Sequence, residues 1–97
     1  MSEKRIIKFE IEDISQKTGY VSFTKVDLPK GGKIIDVSVE SDKTYLHVIV
    51  NPLNRKKERW FATFEEQMPM EDYDKKTFEY IGRTGTIPEL YIFEVHD

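Results

Sequence analysis

Apolar and polar residues alternate one for one along most of this chain, from Arg5 to Val95, in short runs broken by turn residues. A two-residue period places alternate side chains on opposite faces of an extended strand, one toward a core and the other toward water. The pattern predicts an all-β single domain over residues 1–97, of about seven mainly antiparallel strands. Such strands can form a curled sheet, a small barrel or a sandwich.

The series opens at residues 5–12, with Ile7, Phe9 and Ile11 on one face and Lys8, Glu10 and Glu12 on the other. Residues 13–19 are polar, end in glycine and read as a wide loop. In 20–28, Val21 and Phe23 are expected inward, but Val26 and Leu28 have the opposite parity. That slip predicts a bulge or break near Thr24 and Lys25. Pro29-Lys30-Gly31-Gly32 is the clearest turn, because proline sets φ and glycine permits positive φ.

Residues 33–40 then place Ile35, Val37 and Val39 together, and Ser41-Asp42-Lys43 reads as a hairpin turn. The strand at 44–50 is apolar on nearly both faces, as a central or doubly covered strand would be. At 58–64, Trp60, Ala62 and Phe64 oppose Arg59, Phe61 and Thr63. Residues 65–77 are irregular, with a helical turn expected at 70–75, and strands at 78–83 and 90–95 finish the fold.

A chain of 97 residues buries roughly 65% of its unfolded surface. Six Phe, five Tyr and one Trp suit a thin core, since each ring buries about 150–250 Å². A thin core is also helped by subunit contacts, so a homo-oligomer is expected. Cysteine is absent, which excludes disulfides, thiolate catalysis and cysteine-based metal centres. No apolar run reaches the ~18 residues of a membrane span, and the opening Met1-Ser2-Glu3-Lys4-Arg5 has no signal-peptide core. A cytoplasmic protein with no membrane contact is the expectation.

The net charge of −3 argues against nucleic acid as a partner. The charge is uneven: Arg55, Lys56, Lys57 and Arg59 form a basic cluster, and Glu65, Glu66, Glu71, Asp72 and Asp74 an acidic one. Arg55, Lys57 and Arg59 are the first candidates to bind an anion, since guanidinium offers a planar fork to phosphate oxygens. Lys33 and Arg83, each beside a glycine turn, come second, and Trp60 and Tyr45 are candidates to stack a base. Against this stands a solvated loop whose lysines keep a sheet edge from aggregating.

The acidic cluster invites a divalent-metal or DNA-mimic reading, but it lacks a calcium-loop spacing, and 15 basic residues interrupt the negative surface. A solvated loop outweighs both. His47 is expected to be a hydrogen-bonded strand residue rather than a ligand-binding one, and His96 an exposed one. Ser15, Ser22, Ser38 and Ser41 have no glycine elbow, and neither histidine has an evident partner in the sequence. The chain is therefore read as non-catalytic, with no cofactor and no metal.

Four segments together resemble a known group of proteins: Leu28-Pro29-Lys30-Gly31-Gly32-Lys33-Ile34-Ile35, Val50-Asn51-Pro52, Glu79-Tyr80-Ile81-Gly82 and Ile92-Phe93-Glu94-Val95. In order and spacing they are similar to a family of short β-rich proteins of unknown function encoded by tailed bacteriophages and prophages. The resemblance runs from about Ile7 to the C-terminus, with residues 17–19 as extra length in the first loop. It implies a phage accessory protein acting in a bacterial cytoplasm, and it brings no catalytic residues.

Small oligomeric phage proteins include ones that bind nucleotide immune signals and withhold them from host effectors, an analogy of size and lifestyle. The expected function is therefore sequestration of a small anionic, nucleotide-derived ligand. Second stands a protein-binding module that blocks or adapts a host protein through edge strands or Met68-Pro69-Met70. Third stands a virion or nucleic-acid-associated protein, disfavoured by the acidic net charge.

Overall fold

The computed structural model describes residues 3–11, 17–18, 21–67, 69–70 and 73–96, of which 17, 18 and 21 by their backbone alone. Among these residues the chain is all β: β1 Arg5–Ile11, β2 Lys17–Thr18, β3 Val21–Pro29, β4 Lys33–Glu40, β5 Lys43–Val50, β6 Lys56–Glu65, β7 Phe78–Arg83 and β8 Leu90–Val95. Every pairing is antiparallel. One sheet has the order β1-β5-β4 and the other β2-β3-β6-β8-β7. No described helix is long and apolar enough to cross a membrane.

The two sheets meet along two seams, β1 beside β3 and β4 beside β7, and among the described residues no backbone ladder closes them into a barrel. Between them lies a core to which both contribute: Ile11, Leu46, Val48, Val50 and Val37 from the first, and Val26, Leu28, Phe61 and Ile92 from the second. At the β4–β7 seam the approach is so close that a Cβ on Gly82 would lie 2.9 Å from Val37 Cγ2. Only glycine fits there, and the register shift between Tyr80 and Gly82 lets β7 follow the seam.

Two turns follow directly from local chemistry. Gly31, with φ of +82°, sits at the third position of a turn closed by Gly32 N–H donating to Pro29 O at 3.1 Å, as a type II turn requires. Ser41 and Asp42 have φ of 51° and 66°, the paired positive values of a two-residue type I′ hairpin loop. The sequence offers Ser-Asp where Asn-Gly is preferred. Asp42→Gly is thus expected to raise stability by about 0.5–1 kcal/mol, read as a higher urea midpoint at unchanged m-value.

Two expectations need correction. β3 carries no bulge or break: it pairs with β6 in unbroken register from Val21↔Phe64 to Pro29↔Lys56. Ser22, Thr24, Val26 and Leu28 all face the core, and Phe23, expected inward, points away from it and is exposed. The bulge lies instead in β4, at the register shift between Ile34 and Asp36. It sends Ile34 toward the core and leaves Ile35 exposed.

Thr24 and Thr63 bring hydroxyls into the interior, where neither Oγ1 has a partner among the described residues. Such an orphan costs about 1–3 kcal/mol. The loop expected at 13–19 is interrupted by β2, and its residues 13–16 and 19 lie outside the described residues. So do Glu12, Tyr20, Met68, Glu71 and Asp72. Of the helical turn expected at 70–75, the described part leads into a turn in which Asp74 O accepts from Thr77 N–H at 3.0 Å and Phe78 N–H at 2.9 Å.

Candidate functional site

Arg59 stands on the core-facing side of β6, the same side as Phe61. Its Nε and Nη2 donate to the two carboxylate oxygens of Glu94 on β8, each at 2.6 Å, and its Nη1 donates to the Gly32 carbonyl at 2.6 Å. The β3–β4 turn that carries Gly32 is tied to the β5–β6 loop, Lys30 N–H donating to Arg55 O at 2.8 Å and Asn54 Nδ2 to Lys30 O at 2.9 Å. Glu94 is buried, and its neighbour across the ladder, Glu79, is exposed. Glu79 Oε1 lies 2.8 Å from His96 Nε2.

Glu79, Glu94 and His96 bring one ligand atom each within 4.8 Å of one another, a spacing a divalent cation could use. Arg59, however, already holds both Glu94 oxygens and supplies the balancing positive charge. The arrangement is therefore read as a satisfied ion-pair network. Two clefts of about 330 Å³ each open onto it, one walled by Lys33, Glu79 and Tyr80 and the other by Lys57, Trp60 and His96.

The other concentration of chemistry is the outer face of the larger sheet. Phe64, Ala62 and Phe78 are buried there as a second cluster, with Phe93 and Val95 packed against it. Phe64 meets Tyr73, Phe78 and Phe93 edge-on at 6.3, 5.7 and 5.4 Å, while Tyr73 stacks on Phe78 at 5.8 Å. Offset and edge-on pairs of this kind add about 0.5–1.5 kcal/mol each beyond area burial. Around the cluster, Phe23, Trp60 and Tyr80 are 38%, 46% and 53% exposed. A groove of about 250 Å³ lies at its margin, between Phe64, Tyr91 and Phe93 on one side and Glu65, Glu66, Gln67 and Met70 on the other.

Compared with known families, curated proteins and solved structures, the chain matches none.

Four of the seven residues expected to bind a ligand line two clefts that share Arg59, Lys33 in one and Lys57 and Trp60 in the other, with Trp60 on the opposite face of β6 from Arg59. The other three are dispersed. Tyr45 lies under Lys8, whose Nζ is 4.9 Å from the ring centroid, on the outer face of the smaller sheet. Arg83 faces Glu89 at 3.6 Å, and exposed Arg55 is held by its carbonyl in the β5–β6 loop. The basic run is divided by the pleat, because Lys57 and Arg59 fall on one face of β6 and Lys56 on the other.

Both histidines acquire partners that the sequence did not reveal. Ser38 Oγ lies 2.7 Å from His47 Nε2 on the outer face of the smaller sheet. Asp36 is opposite His47 in register, but its Oδ1 accepts from Val37 N–H at 2.8 Å, so this carboxylate serves the backbone. On the same face Lys8 and Glu40 pair at 2.8 Å. Their hydrogen bond holds the Glu40 carboxyl below its ordinary range and pushes the Lys8 ammonium above its own.

Sequence reasoning missed the aromatic face. Its signal was present: the parity change in β3, and aromatic residues at both Trp60 and Phe61, are what a sheet apolar on both faces produces.

Proposed function

We propose that this protein is a non-catalytic protein-binding module, with the outer face of the β3-β6-β8-β7 sheet as its contact surface. The observation that carries the reading is the gathering of exposed Phe23, Trp60 and Tyr80 around a buried aromatic cluster. Trp and Tyr dominate the energetics of protein interfaces, and contiguous exposed apolar patches on soluble proteins mark such contacts. The resemblance to short phage proteins supplies the setting, a phage accessory protein that engages a host protein in the bacterial cytoplasm. Sequestration of a small anion ranks second, because Arg59 is already neutralised and Glu79 and Glu94 share its clefts. Lys33, Lys57 and Trp60 are the residues left to that second reading.

A photo-crosslinking amino acid at position 80 should yield a host-protein adduct in bacterial cells, and the same probe at position 45, on the opposite sheet, should not. Trp60→Ser with Tyr80→Ser should weaken binding of that protein about 30-fold or more. Undiminished affinity in the double variant would remove the reading. So would recovery of an intact nucleotide in stoichiometric amount from the heat-denatured protein, lost in Lys33→Ala with Lys57→Ala.

A further inference from the structure

The seam between β4 and β7 is tight at one point and open at another. Val37 and Gly82 pack so closely that a Cβ on Gly82 would have no room. Toward the starts of both strands lies a cleft of about 330 Å³. Lys33 stands on its β4 wall and Glu79 on its β7 wall, with Arg59 and the buried Glu94 at the base. Ile34 and Ile81, both packed against the core, supply its apolar part.

Lys33 and Glu79 carry opposite charges on facing walls, yet they do not pair with each other. Among the described residues Lys33 Nζ has no hydrogen-bond or ion-pair partner. Glu79 is engaged through Oε1, 2.8 Å from His96 Nε2, and its Oε2 has no partner among the described residues. Arg59 spends three N–H groups on Glu94 and the Gly32 carbonyl, and a guanidinium has five. Two donors therefore remain on a side chain that those bonds already hold in place, so little ordering is lost when a ligand meets it.

The balance of these groups selects the charge of the ligand. Lys33 and Arg59 offset Glu79 and Glu94, so the cleft has no net charge to draw a plain anion or a plain cation. Either would also lie against two groups of its own sign, an unfavourable contact. A molecule that carries both signs finds a partner on each wall. The cleft volume is at the low end of the roughly 300–1,000 Å³ of small-molecule sites, which suits a compact one.

We propose that this cleft binds an amino-acid zwitterion, its carboxylate on Lys33 and the remaining Arg59 donors and its ammonium on Glu79. Aliphatic carbon of the ligand would lie on Ile34 and Ile81.

Amide chemical shifts of the full chain, titrated with the common L-amino acids and with γ-aminobutyrate, test this. At least one probe should shift the Gly32, Ile34 and Ile81 amides and saturate. The amide of that probe lacks the carboxylate, and its deaminated acid lacks the ammonium. Each should bind about tenfold more weakly or worse. Lys33→Met and Glu79→Gln should each lose a similar factor. Both positions are exposed and outside the Arg59–Glu94 pair, and unchanged melting curves would show that the variants fold.

The absence of a saturable shift with every probe overturns the proposal. So does a deaminated acid or inorganic phosphate that binds as tightly as the amino acid, which would mark a plain anion site. Full affinity in either variant overturns it as well. Neither substitution touches Phe23, Trp60 or Tyr80, so the host-contact reading stands or falls separately.

Discussion

Arg59→Ala is expected to lower the unfolding free energy by about 3–5 kcal/mol, the range for breaking one side of a buried ion pair. The substitution leaves Glu94, whose side chain is 8% exposed, as an unpaired carboxylate facing the core, and it removes the donor to the Gly32 carbonyl. Desolvation makes the loss large, since an exposed pair is worth at most about 1 kcal/mol. A 97-residue domain has about 5–15 kcal/mol in total, so the variant should be marginal at room temperature.

Replacing both partners with apolar residues, as in Arg59→Met with Glu94→Leu, should restore most of that stability. Urea unfolding of the three variants gives the comparison. A loss below about 1 kcal/mol in Arg59→Ala would mean that the fork carries little energy. Arg59 would then be free for the anion-binding role its sequence context suggested.

Phe64→Ala is expected to cost as much as Phe61→Ala, about 3–5 kcal/mol for each ring removed from a packed site. The two residues occupy opposite faces of β6: Phe61 lies in the core between the sheets and Phe64 in the cluster on the outer face. A sheet with one solvated face would show a large effect at Phe61 and almost none at Phe64. Equal losses would establish that the outer face of the larger sheet carries a packed cluster of its own. Phe64→Ala should also remove a ring contact of Tyr73, which packs on Phe64 and Phe78, seen as a change in near-ultraviolet circular dichroism.

Strand placement was readable because the two-residue period depends only on backbone geometry and on which side chains avoid water. The expected runs at 33–40, 78–83 and 90–95 match β4, β7 and β8, and the apolar run at 44–50 lies in β5, the central strand of its sheet. Facing was less readable. Alternation states that Val21 and Phe23 differ in parity from Val26 and Leu28, but not whether the chain slips or the sheet has two apolar faces. For β3 the second answer holds, and for β4 the first does, at Ile35.

The site was partly readable, and for a different reason. Arg59 stood out as a charged residue in a basic run, yet its partner, Glu94, is 35 positions away. His47 and Ser38 are nine apart and meet across the β4–β5 hairpin.

By itself, then, the sequence determined the all-β character, the turns at Gly31 and Ser41-Asp42, the lack of thiol chemistry and the acidic balance. Each of these depends on residue identity and nearest neighbours along the chain. Only the tertiary structure decided that Arg59 is neutralised from within, that the basic run is divided by the pleat, and that β6 carries apolar side chains on both faces. Those outcomes depend on which strands become neighbours, and long-range pairing is set by the packing of the whole chain rather than by any local run of residues.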